Sequence, residues 1–413
     1  MLSTTASVSS TRVPWRFDRP EMAGAVADLG VLVPIAVALI VKNGLFPTAV
    51  LLPAGVLYVV AGAVYRLPVP VQPLKAFGAI AIARGLGADE IAAGALLMGA
   101  IFVILGASRV LDPIAKIFPL PIIRGVQLSV GLLFLKLAWG LATGPPRAFT
   151  DHTRPTWWLL LGSVVVAVAA LVLRRRMVTL ALLALAVVQM VLAYHGPLAL
   201  GPSPIHLPHL STHAFVTAAI ALVLPQLPLT FANSCLATAD AARTYFGAAA
   251  DRVRPGRLAL SLGVANLLAG SVTGMPVCHG AGGMTAHRSF GARTGGAPIA
   301  LGIVLLVLAG AAGASLTAIL VGFPLPILAG LLAVAGLLHI ALLKDLRHPA
   351  HWALAIAVGL TGLLSNLAIA LAAGLLIWWA TTAVAARRRR QAKGGERDDA
   401  APSLPGEIPD LQP

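Results

Sequence analysis

Hydrophobic stretches of about 20 residues, the length that crosses a bilayer as helix, follow one another along nearly the whole chain, with short polar turns between them. The pattern predicts helical spans at 22–41, 47–65, 73–84, 90–109, 118–140, 157–173 and 177–194. A second set is predicted at 214–236, 257–271, 279–287, 297–314, 324–343, 351–365 and 367–386. Two of these, 73–84 and 279–287, are too short to cross about 30 Å of hydrocarbon. Each follows a stretch that cannot be regular helix. Leu67-Pro-Val-Pro-Val-Gln-Pro-Leu-Lys75 holds three prolines, each lacking an N–H and biasing its predecessor towards extended backbone. Thr273-Gly-Met-Pro-Val-Cys-His-Gly-Ala-Gly-Gly283 combines Pro276 with four glycines.

The two breaks occupy matching places. Pro70 and Pro276 are 206 positions apart, and Phe118-Pro-Leu-Pro-Ile122 recurs as Phe323-Pro-Leu-Pro-Ile327 at an offset of 205. Seven spans per half is an odd number, so duplicated halves must insert with opposite orientation. The expected fold class is an all-α polytopic membrane protein of 14 segments, built as two inverted seven-helix repeats. The expected divisions are an N-terminal tail (1–20), a first repeat (21–195), an external linker (196–212), a second repeat (213–386) and a basic, disordered tail (387–413). Basic residues support this count. With the N-terminus in the cytoplasm, 18 Lys and Arg beyond the N-terminal tail fall on the inside and four on the outside, the asymmetry of positive-inside topology.

Composition narrows the class. A 413-residue chain that is 58% hydrophobic and 11% charged fits no water-soluble group. Its net charge of +15 could suggest nucleic acid, but the basic residues are dispersed between apolar runs, so the expected partner is the lipid bilayer. Cys235 and Cys278 form neither a disulfide framework nor a metal-ligand spacing, and no metal or cofactor is expected. No nucleophile–base pair sits beside the breaks, which disfavours an enzyme. Residues 1–19 lack an apolar core and read as a polar tail, not a signal peptide. The expected location is a bacterial inner membrane, with both termini cytoplasmic.

A matching pair of Pro/Gly-broken apolar segments points to a substrate site between repeats. Helices that begin at the midplane offer free N–H groups and a partial positive charge, and two facing each other would cradle an anion. The candidate binding residues are Gln72, Pro73, Lys75 and Ala76 at the first break, and Cys278, His279 and Gly280 at the second. Pro73 is a favoured helix-start residue, which would place Lys75 in the first turn. Gln226 and Asn233, in the proline-bearing eighth span, are neutral hydrogen-bonding candidates. Asp28 and His279 are titratable near the proposed site and are the candidates for proton coupling, with structural roles as the rival reading of each. Arg124 reads as snorkelling to the surface. The histidines at 195, 206, 209 and 213 read as a solvated loop.

Pro70-Val-Gln-Pro-Leu-Lys75-Ala, Met275-Pro-Val-Cys-His279-Gly-Ala-Gly-Gly283 and Phe290-Gly-Ala-Arg, with Glu21-Met-Ala-Gly-Ala-Val-Ala-Asp28-Leu-Gly and Pro225-Gln-Leu-Pro-Leu-Thr…Asn233-Ser, resemble the molybdate transporter family of plants and bacteria, relatives of the SulP sulfate permeases. The resemblance covers nearly all of the membrane region. It implies core and gate domains, with an anion site between the third and tenth helices, lined also by the first and eighth. Ala27 departs from the family's more usual glycine before Asp28.

The leading expectation is a secondary transporter of a tetrahedral oxyanion, molybdate before sulfate or tungstate, driven by protons. A homodimer stays open. The rivals are an uncoupled anion channel and a nucleobase transporter of a related fold, although a lysine and a histidine at the breaks suit an anion better than a base.

Overall fold

A computed structural model of the chain describes residues 13–26, 29–108, 117–143, 165 and 176–398. Within them the fold is almost wholly helical. The first half contains α1 (Arg19–Ala25), α2 (Leu29–Asn43), α3 (Pro47–Tyr65), the two-residue strand β1 (Gln72–Pro73), α4 (Lys75–Arg84), α5 (Ala88–Ser108), α6 (Leu120–Thr143) and α7 (Arg176–Ala193). The second half opens with the long helical run α8 (Thr212–Arg252), then α9 (Pro255–Ser271), β2 (Val277–Cys278) and α10 (Ala281–Ser289). It ends with α11 (Gly296–Val321), α12 (Leu325–Ile340), α13 (Pro349–Thr361) and α14 (Leu367–Asp398). Eight helices among the described residues are long and apolar enough to span a membrane. Leu192, Leu364 and Leu376 are largely exposed on their surfaces, as expected where the solvent is lipid. The predicted sixth span falls almost wholly outside the described residues, as do Asp28 and the tail beyond Asp398.

Long helices pack across the halves: α3 on α11, α5 on α9, and α6 on α12. Small residues allow this close approach, the usual device where lipid removes the hydrophobic drive between helices. A Cβ on Gly62 would lie 2.4 Å from the Gly295 carbonyl oxygen at the head of α11, and one on Gly131 would lie 2.7 Å from that of Gly336. The last two helices double back on each other. Gly362–Asn366 between them is π-helical, and Val358 of α13 packs directly over Gly374 of α14.

The breaks leave their helices in the same way. Arg66 and Thr273 follow α3 and α9 with φ of 57° and 52°, left-handed backbone that side chains other than glycine rarely adopt. Arg66 is held there by stacking on Trp15, 4.3 Å from the ring centroid. Beyond these turns β1 and β2 pair antiparallel, Gln72 opposite Cys278 and Pro73 opposite Val277. One expectation needs correcting. Pro73 does not start the helix, because its residue is committed to the strand pair. Leu74 is the N-cap, and α4 begins at Lys75.

The linker is ordered where the structure describes it. Thr48 and Ser203 exchange hydrogen bonds, the Thr48 N–H donating to Ser203 Oγ (2.9 Å) and the Ser203 N–H to Thr48 Oγ1 (2.8 Å). Ser203 is consequently buried, whereas Leu207 stands exposed.

Candidate functional site

Short half-helices in a membrane interior leave polar backbone groups that water cannot reach, and each must find a protein partner. The site is assembled from those partnerships. Leu74 N–H donates to the Pro276 carbonyl (3.1 Å), joining the two breaks beside the strand pair. Asn266 of α9, fully buried, donates from Nδ2 to the Val277 carbonyl and accepts the Val277 N–H at Oδ1, both at 2.8 Å. The Cys278 thiol donates weakly to the Pro73 carbonyl at 3.5 Å. Gln226, on α8 between Pro225 and Pro228, accepts the Phe77 N–H at Oε1 (3.0 Å) and donates from Nε2 to Thr230 Oγ1 (3.1 Å). A neutral amide thus caps the first turn of α4.

Lys75, Gln127, Gln226, Asn233, Ser234, Cys278 and His339, with Leu229, line a small cavity of about 20 Å³ beside the strand pair. That volume suits roughly one water. Asn233 reaches the wall from a π-helical stretch of α8, Thr230–Ala237, a form of helix common at functional sites. Lys75, half-buried, has no hydrogen-bond or ion-pair partner among the described residues. Gly280 caps α10, where a Cβ would sit 2.9 Å from Gln72 Oε1 and 3.3 Å from Asn233 Nδ2. Both amides therefore lie against the start of the second half-helix.

The structure thus brings Lys75, Gln226, Asn233 and Cys278 together around one cavity, with Gln72, Pro73, Ala76 and Gly280 in the adjoining backbone. It places His279 elsewhere. The imidazole is fully buried, with Nδ1 2.9 Å from the Pro70 carbonyl and Nε2 2.9 Å from Ser261 Oγ. Ser261 in turn bonds the Tyr65 hydroxyl (2.7 Å), and the Tyr65 ring meets the imidazole edge-on at 6.0 Å. Because a carbonyl only accepts, Nδ1 carries the proton. Both ring nitrogens are engaged in bracing the first break against α9, and the imidazole is not among the side chains that line the cavity.

Two cavity residues, Gln127 and His339, escape a sequence reading because they lie in unbroken apolar helices and reach the site only through the packing of α6 on α12. Arg124 is also corrected. It does not snorkel but grips Asp345 with both faces of the fork, Nε to Oδ1 at 2.9 Å and a second, shorter contact from the terminal nitrogen. Its other terminal nitrogen donates to Gln127 Oε1 (2.8 Å). A bidentate pair of this kind is geometrically specific, and it ties α6 to the turn that follows α12.

Solved structures share this architecture. The transmembrane domain of the cyanobacterial bicarbonate transporter BicA aligns with a TM-score of 0.61 at 18% identity, over 87% of this chain and 98% of that one. Murine Solute Carrier 26 family member A9, an anion transporter solved in the inward-facing state, aligns at 0.63 and 15% identity, over 90% of this chain and 69% of that one. The fold is therefore that of the SulP and Solute Carrier 26 membrane domains, and the protein is an integral, multi-pass membrane protein. Residues 20–134 and 218–338 match the family described as "Molybdate transporter of MFS superfamily". Molybdate transporter 2 of Arabidopsis thaliana is 30% identical over 409 residues, covering 87% of this chain and 86% of its own. Molybdate transporter 1 of Chlamydomonas reinhardtii is 29% identical, covering 86% and 90%. The chain belongs to the molybdate transporter family, whose members named here are transporters and not enzymes. These relatives are plant and algal, and lend no support to the expected bacterial membrane.

If His279 braces the breaks, His279→Ala should leave the Pro70 carbonyl and Ser261 without their partner and cost about 1–3 kcal/mol. Thermal unfolding of the detergent-solubilised protein measures this. Unchanged stability would show that the imidazole braces nothing.

Proposed function

We propose that this protein is a secondary transporter of a tetrahedral oxyanion, molybdate first, which binds between the N-termini of α4 and α10 beside the Lys75 ammonium. The single observation that carries this reading is an intramembrane cation without a partner among the described residues, standing at the head of a broken helix in a cavity otherwise lined by neutral polar groups. An ammonium in such a place is costly unless an anion compensates it. First-turn amides of Lys75, Ala76, Ala281 and Gly282 have no partner within their own helices and can add to the cradle. Gln72, Cys278, Gly280, Gln226 and Asn233 shape its wall. The names of the relatives agree with an oxyanion cargo.

The narrowness of the cavity supports a carrier over an open pore. A volume of about 20 Å³ must widen before a four-oxygen anion enters, so binding and a change of shape are linked. The arrangement also supports the inverted seven-plus-seven repeat. If the halves are related by a two-fold axis, span 2 against 11 implies 9 against 4, while 5 against 12 maps onto itself. Those are the contacts of α3 with α11, α5 with α9, and α6 with α12. Moving a dianion into a negative interior is uphill by about 2.3 kcal/mol per charge at 100 mV, so uptake requires a driving ion, for which protons are proposed.

Lys75→Ala should abolish molybdate binding by the purified protein while thermal stability holds. Lys75→Arg should also bind poorly, since a planar fork does not replace a compact ammonium. Gln226→Glu should weaken binding at least tenfold without unfolding, by setting a fixed carboxylate against the start of α4. Wild-type affinity in a well-folded Lys75→Ala protein would overturn the assignment.

Both termini are expected on the cytoplasmic side. A cysteine at Leu207 should react with an impermeant reagent from outside, and one at Arg388 only after permeabilisation. Reaction of both from one side would break the span count.

Uptake of molybdate into proteoliposomes should rise as external pH falls and collapse with a protonophore. Indifference to both would leave an uncoupled carrier.

A further inference from the structure

Besides Lys75 and the Cys278 thiol at the two breaks, one further titratable group lines the 20 Å³ cavity: His339, near the C-terminal end of α12. Its Nδ1 lies 2.7 Å from the Ala335 carbonyl one turn back. A carbonyl accepts only, so Nδ1 holds a proton in every state and the neutral ring presents a bare Nε2 lone pair. Phe134 of α6 meets the ring edge-on at 5.9 Å and fixes its plane. No described residue hydrogen-bonds to Nε2. His279 has no comparable freedom, since both its nitrogens are engaged by Pro70 and Ser261.

The surroundings of His339 are sparse in charge. From α4 comes Lys75 at its first residue, with Arg84 in the last turn at the opposite end of that helix. From α6 come Gln127, which is neutral, Arg124, which is paired with Asp345, and Lys136, which is exposed. From α8 come the neutral Gln226 and Asn233. α2 contributes only Lys42, in its last turn, and α7 only Arg176, at its first residue. Lys344 and Asp345 follow α12 itself. Nothing among the described residues at this wall offers a negative charge to a second cation beside Lys75, because the Asp345 carboxylate is already held by Arg124.

We propose that His339 is the proton-binding residue of the anion cavity, taking one proton at Nε2 for each oxyanion that binds beside Lys75. The step is a simple addition. The lone pair of Nε2 takes a proton from hydronium, forming an N–H bond as one O–H bond breaks and leaves water, and the neutral ring becomes an imidazolium. Without an anion, two cations would face each other in a space with little water. With a dianion between them, both charges are compensated, so proton and anion each bind better when the other is present, and the coupling is reciprocal. This inference rests on the oxyanion reading above and adds to it the identity of the group that carries the proton.

Purified protein titrated with molybdate by calorimetry, in buffers of different ionisation enthalpy, gives the number of protons taken up per anion. The wild type should take up about one between about pH 5 and 8, the imidazole range, with affinity falling up to about tenfold per pH unit at the upper end. His339→Asn, whose amide can still donate to Ala335, should bind at low affinity with a proton count near zero and a flat pH profile, and His339→Gln should behave alike. His279→Gln should keep the wild-type count. A wild-type count in either folded His339 variant would overturn the proposal, and so would molybdate binding by the wild type with no proton uptake, which needs no variant. An absence of molybdate binding at every pH would overturn the substrate reading itself and this inference with it.

Discussion

Everything near the centre of this protein follows from one constraint: a peptide group inside a membrane has no water to bond with. Two segments rich in proline and glycine cannot satisfy their own backbone as helix, so each must be satisfied by the rest of the molecule. The two breaks partly satisfy each other, Gln72 opposite Cys278 and Leu74 bonded to Pro276. The remainder falls to side chains brought from outside. Asn266 serves both polar groups of Val277, His279 serves Pro70, and Gln226 serves Phe77. These helpers come from α9, the second break and α8, which is why the surrounding helices hold such definite positions. The half-helices exist because their starting points are held from three sides.

The same constraint sets the electrostatics. The groups that satisfy the backbone around the cavity are amides, a hydroxyl and a neutral imidazole, so they consume hydrogen-bonding capacity without supplying charge. Lys75 is then the strongest local field in the space between α4, α8 and α12. Its charge is compensated neither by the capping amide of Gln226 nor by Asp345, which is bound to Arg124 on the far side of Gln127. In a medium of low dielectric, such an imbalance has far more effect than the same charge would have in water.

The sequence disclosed the parts of this arrangement that are written locally. Prolines at 68, 70, 73 and 276 mark extended backbone wherever they occur, and a short apolar run behind each break marks a half-helix. Lys75, Gln226 and Asn233 stand out because polar residues in such surroundings need a reason. What the sequence leaves hidden has a shared cause. By their neighbours in sequence alone, Pro73 reads as a helix starter and His279 as a ligand. Their real partners lie about 200 residues and 18 residues away, respectively. Gln127 and His339 occupy helices whose patterns are ordinary. They become cavity residues only because Gly131 and Gly336 let α6 and α12 approach closely, and no periodicity in either helix encodes that meeting. Arg124 looked like a surface cation because Asp345 is 221 positions further on.

The strand pair also has a history in time. Gln72 leaves the ribosome 206 residues before Cys278, and at about 5–20 residues per second the first break waits about 10–40 s for its mate. Through that interval Pro70, Val71 and Gln72 carry backbone groups that neither lipid nor their own helix can satisfy. The nascent first half must therefore keep this segment hydrated, or sheltered in the insertion machinery, until α9 and the second break arrive. Biogenesis of such a molecule is a two-part event by necessity, and its early half is the vulnerable one: a chain stalled before Asn266 would present an unfinished seam to the quality-control apparatus of the membrane.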